Sequence, residues 1–310
     1  MKLTPEEFIN QKSRAITLLG MSGVGKTQLA NKLPSSEWFH YSGDYRIGTK
    51  YLAEPIMDNI KVQAMQVGFL KELLRSDSIY IASNITVNNL EPVATFLGKI
   101  GNPKKGGITL EEFRKRQALH KDAEINAMRD VAEFMTKAKD IYGYSNFIND
   151  AGGSLCELND EKTYQLLSER TIIIYLKANA ELKQTLTERA VMHPKPMYYA
   201  PEFLDQQIEM YLAEKNLKSV EEIDPDDFSS WIFPKLIEHR DPKYQRIADQ
   251  YGYTLNAEDV AKVKSEAEFL DLLSSAIDAR WYGPIAERLW RGADSLLHGA
   301  DDRFFSWWML

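Results

Sequence analysis

The sequence has little of what marks several classes of protein. A single cysteine, Cys156, among 310 residues cannot form an internal disulfide, which is typical of a protein from a reducing compartment. No apolar run approaches the roughly 18 to 20 residues that a transmembrane helix needs. The N-terminal segment lacks the long apolar stretch of a signal peptide. We therefore expect a cytoplasmic protein with no membrane span.

Glycine, proline and net positive charge are also scarce. The 17 glycines and 12 prolines are too few for a collagen-like or linker composition. The hydrophobic fraction of 44% is too high for a disordered chain. The net charge of −7 gives no overall signature of a nucleic-acid-binding protein. What remains is an ordinary globular chain, long enough for one large domain or two ordinary ones.

The first fifty residues predict a strand, a helix and a second strand. The apolar run at 15–19 ends at a glycine-rich turn, as a buried parallel strand does. A helical pattern at 26–33 stops at Pro34, and an apolar run at 38–42 predicts the second strand. Such a βαβ unit indicates an α/β protein with a doubly wound parallel sheet.

The turn after the first strand fits the phosphate-binding pattern G-x-x-x-x-G-K-[ST] without a mismatch. Its glycines let the backbone curl so that N–H groups point at phosphate oxygens, and the following helix directs its positive end to the same anion. We expect Lys26 to reach the β- and γ-phosphates and Thr27 to bind Mg²⁺. The predicted nucleotide-binding residues are Gly20, Met21, Ser22, Gly23, Val24, Gly25, Lys26, Thr27 and Gln28.

The rest of the chain is predicted to be mainly helical, with a few further strands. Residues 55–75 and 109–141 have helical patterns, the second beginning at a Thr109–Glu112 capping box, and 78–82 reads as a strand. We interpret 84–140 as a helical insertion. Apolar runs predict strands at 147–150, 170–176 and 251–255, followed by a helix near 265–279. The predicted organisation is one domain over 14–280 and an aromatic-rich tail over 281–310.

Four features together carry a family resemblance. They are the phosphate-binding loop, the segment 41–46 after the second strand, the segment 147–154, and a strand and helix over 171–188 followed by Arg189 and a lid over about 188–200. With these features the chain resembles P-loop kinases of the shikimate, gluconate and adenylate kinase type. It also looks like an uncharacterised bacterial ATPase family over most of its length.

The resemblance implies a kinase-type P-loop fold with a helical C-terminal part, and it implies ATP and Mg²⁺ as cofactors. Asp44 would be catalytic, accepting the proton of the acceptor hydroxyl or orienting it, and Arg46 would grip an anionic acceptor. Asp150 would hold Mg²⁺, although Asn149 interrupts the apolar run expected before it. Gly152 and Gly153 would let a substrate approach the backbone.

The same resemblance gives Arg189 a catalytic role, in which it neutralises charge on the transferred phosphoryl group as the lid closes. Simpler interpretations stay open for three of these residues. Gly43–Asp44 and Asp150–Gly153 also have the composition of ordinary turns, and Arg189 is also typical of a cation at a helix end.

Two weaker signals concern partners. Seven Lys or Arg residues between Lys99 and Lys121, against two acidic residues, form a basic stretch that could bind a nucleic acid, although such a run is more often a solvated helix face. The tail contains four of the six tryptophans, and it either packs back on the domain or docks on a partner. Nothing in the sequence indicates an oligomeric state.

The predicted function is an ATP-dependent phosphotransferase that acts on a small-molecule acceptor. The alternative is an ATP hydrolase or switch whose insertion binds a protein or a nucleic acid. An inactive nucleotide-binding scaffold is disfavoured because Lys26 and Thr27 are both present. The sequence does not identify the acceptor.

Overall fold

A computed structural model describes the backbone of residues 1–298 and the side chains of residues 1–282. Its sheet has five strands: β1 (Ala15–Leu19), β2 (Trp38–Ser42), β3 (Asn146–Asp150), β4 (Ile172–Lys177) and β5 (Gly252–Asn256). Every pairing is parallel, and the strand order is β2-β3-β1-β4-β5. The predicted α/β fold with a parallel sheet and a P-loop after its first strand is confirmed.

Helices make up most of the remaining structure. They are α1 (Pro5–Asn10), α2 (Lys26–Lys32), α3 (Gly43–Arg46), α4 (Ala53–Ala64), α5 (Gly68–Arg75), α6 (Glu91–Leu97), α7 (Leu110–Arg129), α8 (Val131–Asp140), α9 (Glu161–Arg170), α10 (Ala180–Met192), α11 (Pro201–Glu214), α12 (Pro225–Tyr251), α13 (Ala257–Lys262) and α14 (Glu266–His298). A π-helical turn covers Ile47–Tyr51, and a 3₁₀ turn covers Leu155–Glu157. Among the described helices, none is both long enough and apolar enough to cross a membrane.

The core lies around β1, which is the middle strand. All residues of β1 and β3 are buried, so both faces of these strands are covered, as in parallel sheets generally. The polar residue Asn149 sits inside this core, where its Nδ2 donates to Thr17 Oγ1 at 3.2 Å. Thr17 Oγ1 in turn shares a hydrogen bond of 2.8 Å with Thr171 Oγ1. This pairing satisfies the amide nitrogen of Asn149 within the apolar run of β3, whereas Oδ1 has no partner within the described residues.

The connection from β2 to β3 contains the predicted insertion, with three differences from the sequence prediction. The helix predicted over 55–75 is two helices, α4 and α5, and the one predicted over 109–141 breaks at Asp130 between α7 and α8. Residues 78–82 form no strand, because Tyr80 in their middle is 88% exposed and no sheet edge lies beside it. Helix α8 packs on β2 and β3, so the last part of the insertion serves as the crossover helix.

The connection from β4 to β5 has the predicted length, but the two helices that follow the lid in it were not predicted. It contains α10, α11 and the 27-residue α12, which packs on β4 and β5. Helix α12 begins at the N-cap Asp224 and runs through two internal prolines, Pro234 and Pro242. The predicted lid comprises the end of α10 and an irregular segment, 193–200, whose last three residues are buried.

The C-terminal part is helical, as expected, through α13 and α14. Trp281 and Tyr282, at the start of the predicted tail, are exposed. The rest of the predicted tail lies outside the described part of the chain, which ends at residue 282 for side chains and at residue 298 for the backbone.

The basic stretch is largely paired with acidic side chains. Lys99 bonds to Asp226 at 2.5 Å and Lys105 to Asp224 at 2.8 Å. Arg114 pairs with Asp205, and the buried Arg116 pairs with Glu112. Because four of its seven cations are neutralised in this way, the stretch gives no support to the nucleic-acid interpretation.

Candidate functional site

The phosphate-binding loop connects β1 to α2 at the carboxyl edge of the sheet. Gly20, Gly23 and Gly25 adopt φ values of +142°, +90° and +101°, which L side chains rarely adopt. A Cβ on Gly20 would lie 2.9 Å from Leu176 O, and one on Gly23 would lie 2.8 Å from Leu186 on α10. Backbone conformation therefore requires all three glycines, and close packing adds a second reason at Gly20 and Gly23.

Lys26, the first residue of α2, closes the loop on itself. Its Nζ donates to Gly20 O at 2.8 Å and to Met21 O at 3.2 Å, and the side chain is buried. An ammonium group held only by neutral carbonyls can exchange them for anionic phosphate oxygens, which form stronger hydrogen bonds with it. The position of Lys26 therefore suits phosphate binding.

Thr27 and Asp150, the predicted Mg²⁺ ligands, are in direct contact. Thr27 Oγ1 donates to Asp150 Oδ2 at 2.5 Å, because parallel pairing places the end of β3 beside the end of β1. Burial would raise the pKa of Asp150, but the imidazole of His40 and the charge of Lys26 outweigh it and hold this pKa below its usual value. The result is an ionised carboxylate and a hydroxyl at one point, hard oxygen donors of the kind that Mg²⁺ prefers.

Asp44 lies at the start of α3, directly after β2. The side chain is half-buried, and burial together with the charge of Asp150 raises the pKa of Asp44 to about 6. A carboxyl group with this pKa is mostly ionised at pH 7 and still basic enough to accept a proton.

A further carboxyl group, Glu124 on α7, lies beside Asp44. Glu124 is fully buried, and its Oε2 accepts a 2.5 Å hydrogen bond from Ser154 Oγ. Gly152 fits between the two acids: a Cβ there would lie 2.4 Å from Glu124 Oε1 and 3.1 Å from Asp44 Oδ1. The first glycine of the predicted substrate loop is therefore required, because any side chain there would clash with these two carboxyl groups.

The second glycine, Gly153, is held by α12. Its carbonyl oxygen accepts hydrogen bonds from Arg240 Nη1 at 2.7 Å and from Tyr244 Oη at 2.5 Å. The fully buried Arg240 also donates from Nε to Glu157 Oε2 at 2.6 Å and from Nη2 to Tyr198 O at 2.7 Å. Arg240 thus ties the glycine loop to the end of the lid segment.

A cavity of about 970 Å³ opens between the phosphate-binding loop, the insertion and the lid segment. Its inner wall includes Ser22, Asp44, His120, Gly153, Ser154 and Arg240. Residues 87–91 of the insertion and 192–198 of the lid segment form the outer walls. The cavity therefore gives space for a second substrate beside Asp44.

A smaller crevice of about 190 Å³ lies on the other side of the loop. It is lined by Gly23, Gln28 and Arg189, with α13 residues 257–261 opposite. Arg189 is exposed on α10, whose Leu186 touches the loop at Gly23. The structure therefore brings Arg189 to the edge of the phosphate-binding loop.

Arg46, predicted to bind the acceptor, does not line the cavity. Its Nε bonds to Asp130 Oδ2 at 2.7 Å, and its guanidinium lies 4.8 Å from the ring centre of Phe134. The interpretation of Arg46 as a grip on the acceptor receives no support from this placement, because both the charge and the face of the guanidinium are engaged elsewhere.

Sequence reasoning missed Glu124 and Arg240. A signal for Glu124 existed: the buried positions of α7 recur at helical spacing, and several of them are polar. These positions are Phe113, Arg116, Gln117, His120, Ala123, Glu124, Ala127 and Met128. Polar residues on the buried stripe of a helix indicate a site, a signal distinct from the positive charge of this segment.

No known family model matches the sequence, and no curated protein matches it. Among solved structures, the chain is similar to shikimate kinase from Bacteroides thetaiotaomicron, with 16% sequence identity and a TM-score of 0.37. The match covers 88% of this chain and 98% of that one. The parallel sheet and the phosphate-binding loop themselves establish the fold.

Proposed function

We propose that the protein is an ATP-dependent phosphotransferase whose acceptor binds in the 970 Å³ cavity. The observation that carries this proposal is the position of Asp44, a basic carboxylate on the cavity wall near the phosphate-binding loop. Ser22 of the loop lines the same cavity, so an acceptor there would lie next to bound phosphates.

Nucleotide binding is assigned to the loop. The loop amides and the N-terminus of α2 would hold the phosphates, and Lys26 would leave its carbonyl partners to bind the β- and γ-phosphates. Thr27 and Asp150 would hold Mg²⁺. When bound there, Mg²⁺ would offset negative charge on the phosphates. The crevice next to Arg189 is the proposed place for the nucleoside.

Transfer of the phosphoryl group then needs a base for the acceptor hydroxyl. The acceptor oxygen bonds to the γ-phosphorus while the bond from that phosphorus to the bridging oxygen breaks, and ADP leaves. The proton of the hydroxyl passes to the Asp44 carboxylate. Arg189, approaching from α10, would neutralise charge on the transferred group.

An ATP hydrolase could use the same loop with water in place of the acceptor. The large cavity beyond Asp44 favours the transferase, because hydrolysis needs room only for a water molecule.

The test is ATP turnover by the purified protein with Mg²⁺, measured alone and with pools of sugars, polyols, nucleosides and small acids. We expect one pool to stimulate turnover strongly. Asp44→Asn should reduce the stimulated rate by about 100-fold or more, the size of general-base contributions, while nucleotide affinity is kept. The matched control is Asp58→Asn, at an exposed aspartate of α4. Turnover that no pool changes would reject the transferase in favour of the hydrolase.

A further inference from the structure

Glu124 is a fully buried carboxyl group beside Ser154 of the cavity wall, and one of its two oxygens has no hydrogen-bond partner within the described residues. Ser154 Oγ donates to Oε2, whereas Oε1 has no partner within the described residues. Oε1 and Asp44 Oδ1 face the same point beside Gly152, because a Cβ there would lie 2.4 Å from the first and 3.1 Å from the second. Since Gly152 carries no side chain, nothing shields one carboxyl group from the other.

The surroundings of Glu124 do not supply a cation of its own among the described residues. The titratable and charged groups that face it are Asp44 on α3, His120 on α7, Glu157 in the 3₁₀ turn, Tyr164 on α9, Tyr198 in the lid segment, and Arg240 and Tyr244 on α12.

The two basic groups in this set are not available to Glu124. His120 Nδ1 lies 3.9 Å from Glu124 Oε2, but burial and the charge of Arg240 lower the pKa of His120 to about 4, so its imidazole is neutral at pH 7. Arg240 itself is paired with Glu157. A proton is therefore the simplest way to neutralise Glu124, and burial raises its pKa to about 7.

We propose that Asp44 and Glu124 work as a carboxyl pair that holds one proton, with Glu124 protonated and Asp44 ionised in the active form. This inference rests on the proposed function. Glu124 is a positioning residue: its neutral carboxyl group keeps the Asp44 carboxylate beside the cavity without repelling it. In the reaction, the acceptor hydroxyl gives its proton to Asp44, Glu124 keeps its own, and Asp44 later releases the new proton to water.

The pair predicts a bell-shaped dependence of turnover on pH. On the acid side, Asp44 becomes protonated and can no longer accept a proton. Above about pH 7 Glu124 ionises, and two like charges then meet at Gly152. The apparent pKa values of the two limbs are properties of the coupled pair and are not assigned to Asp44 or Glu124 separately.

The experiment compares wild type, Glu124→Gln and the control Glu111→Gln, an exposed residue of the same helix. Glutamine keeps the size of the side chain and an acceptor for Ser154, but it cannot ionise. We expect Glu124→Gln to lose the alkaline limb and to keep the rate at pH 7 within about fivefold, whereas Glu111→Gln keeps both limbs. An unchanged alkaline limb in Glu124→Gln would overturn the proposal.

A second measurement does not depend on activity. Carbon-13 NMR of protein labelled at the glutamate carboxyl carbons, without nucleotide or Mg²⁺, should contain one signal with a midpoint near pH 7. That signal should vanish in Glu124→Gln and move to lower pH in Asp44→Asn, which removes the neighbouring charge. A Glu124 signal that titrates like an ordinary glutamate rejects the pair. Absence of ATP turnover in wild type with this signal present rejects the proposed function instead.

Discussion

Replacing Arg240 by methionine should be among the most destabilising single changes in the described part of the chain. Methionine keeps the apolar stem but removes the guanidinium that pairs with Glu157, whose side chain is fully buried. Removing one partner of a buried ion pair typically costs 3–5 kcal/mol. Lys243 Nζ, 3.7 Å from Glu157 Oε1, still compensates part of the remaining charge, so the lower end of this range applies. The carbonyl oxygen of Tyr198 also loses its donor, whereas that of Gly153 keeps Tyr244. We therefore expect a loss of about 3 kcal/mol in the free energy of unfolding.

Urea unfolding at pH 7, followed by tryptophan fluorescence, measures this loss. The double variant Arg240→Met with Glu157→Gln removes both charges and should recover part of it, leaving about 2 kcal/mol for the unpaired carbonyl. The matched control is Arg129→Met, at a half-exposed partner of Asp160, which should cost less than about 1 kcal/mol. If the double variant is no more stable than Arg240→Met, the uncompensated charge of Glu157 is not the cause of the loss.

Three further predictions follow from the same site. Gly152→Ala, which places a Cβ 2.4 Å from Glu124 Oε1, should cost about 1–3 kcal/mol of stability and most of the turnover, whereas Gly68→Ala, with no atom within 4 Å, should cost neither. Lys26→Ala should abolish nucleotide binding in calorimetry and leave the circular dichroism spectrum unchanged, and retained affinity would refute the role of Lys26. Because the folded-state pKa of Glu124 is raised from 4.5 to about 7, its stabilising contribution is complete below pH 4.5 and is lost as the pH rises through 7. Wild type should therefore lose about 2.5 kcal/mol relative to Glu124→Gln between pH 5 and pH 8 in urea unfolding, and parallel stabilities would contradict the raised pKa.

The sequence predicted the elements whose signals are local. The strands at 15–19 and 38–42 have the predicted bounds, because a short apolar run next to a turn defines a buried parallel strand by itself. The phosphate-binding loop has a fixed spacing, so its residues could be named in advance. The strand predicted at 78–82 was wrong, because a strand also needs a neighbouring strand to pair with, and apolar composition does not supply one.

The residues that complete the site could not be predicted in the same way. Glu124 and Arg240 meet at the glycine loop although they lie on α7 and α12, far apart along the chain. Their roles depend on how two helices pack, and no local pattern encodes that packing. Asn149 is a related case: its amide interrupts an apolar run in the sequence, and only the alignment of β3 with β1 reveals its partner, Thr17.

The central position of β1 has a consequence for the synthesis of the protein. Arg14, just before β1, bonds to Asn146, a residue 132 positions later, and Thr17 bonds to Thr171 across 154 positions. A nascent chain of about 145 residues on the ribosome holds the entire phosphate-binding sequence but neither neighbour of β1. Such non-local pairing is slow to form and leaves apolar segments exposed while they wait. The loop therefore becomes a nucleotide site late, after β4 has emerged, and a fragment that carries only the motif has no sheet to hold it.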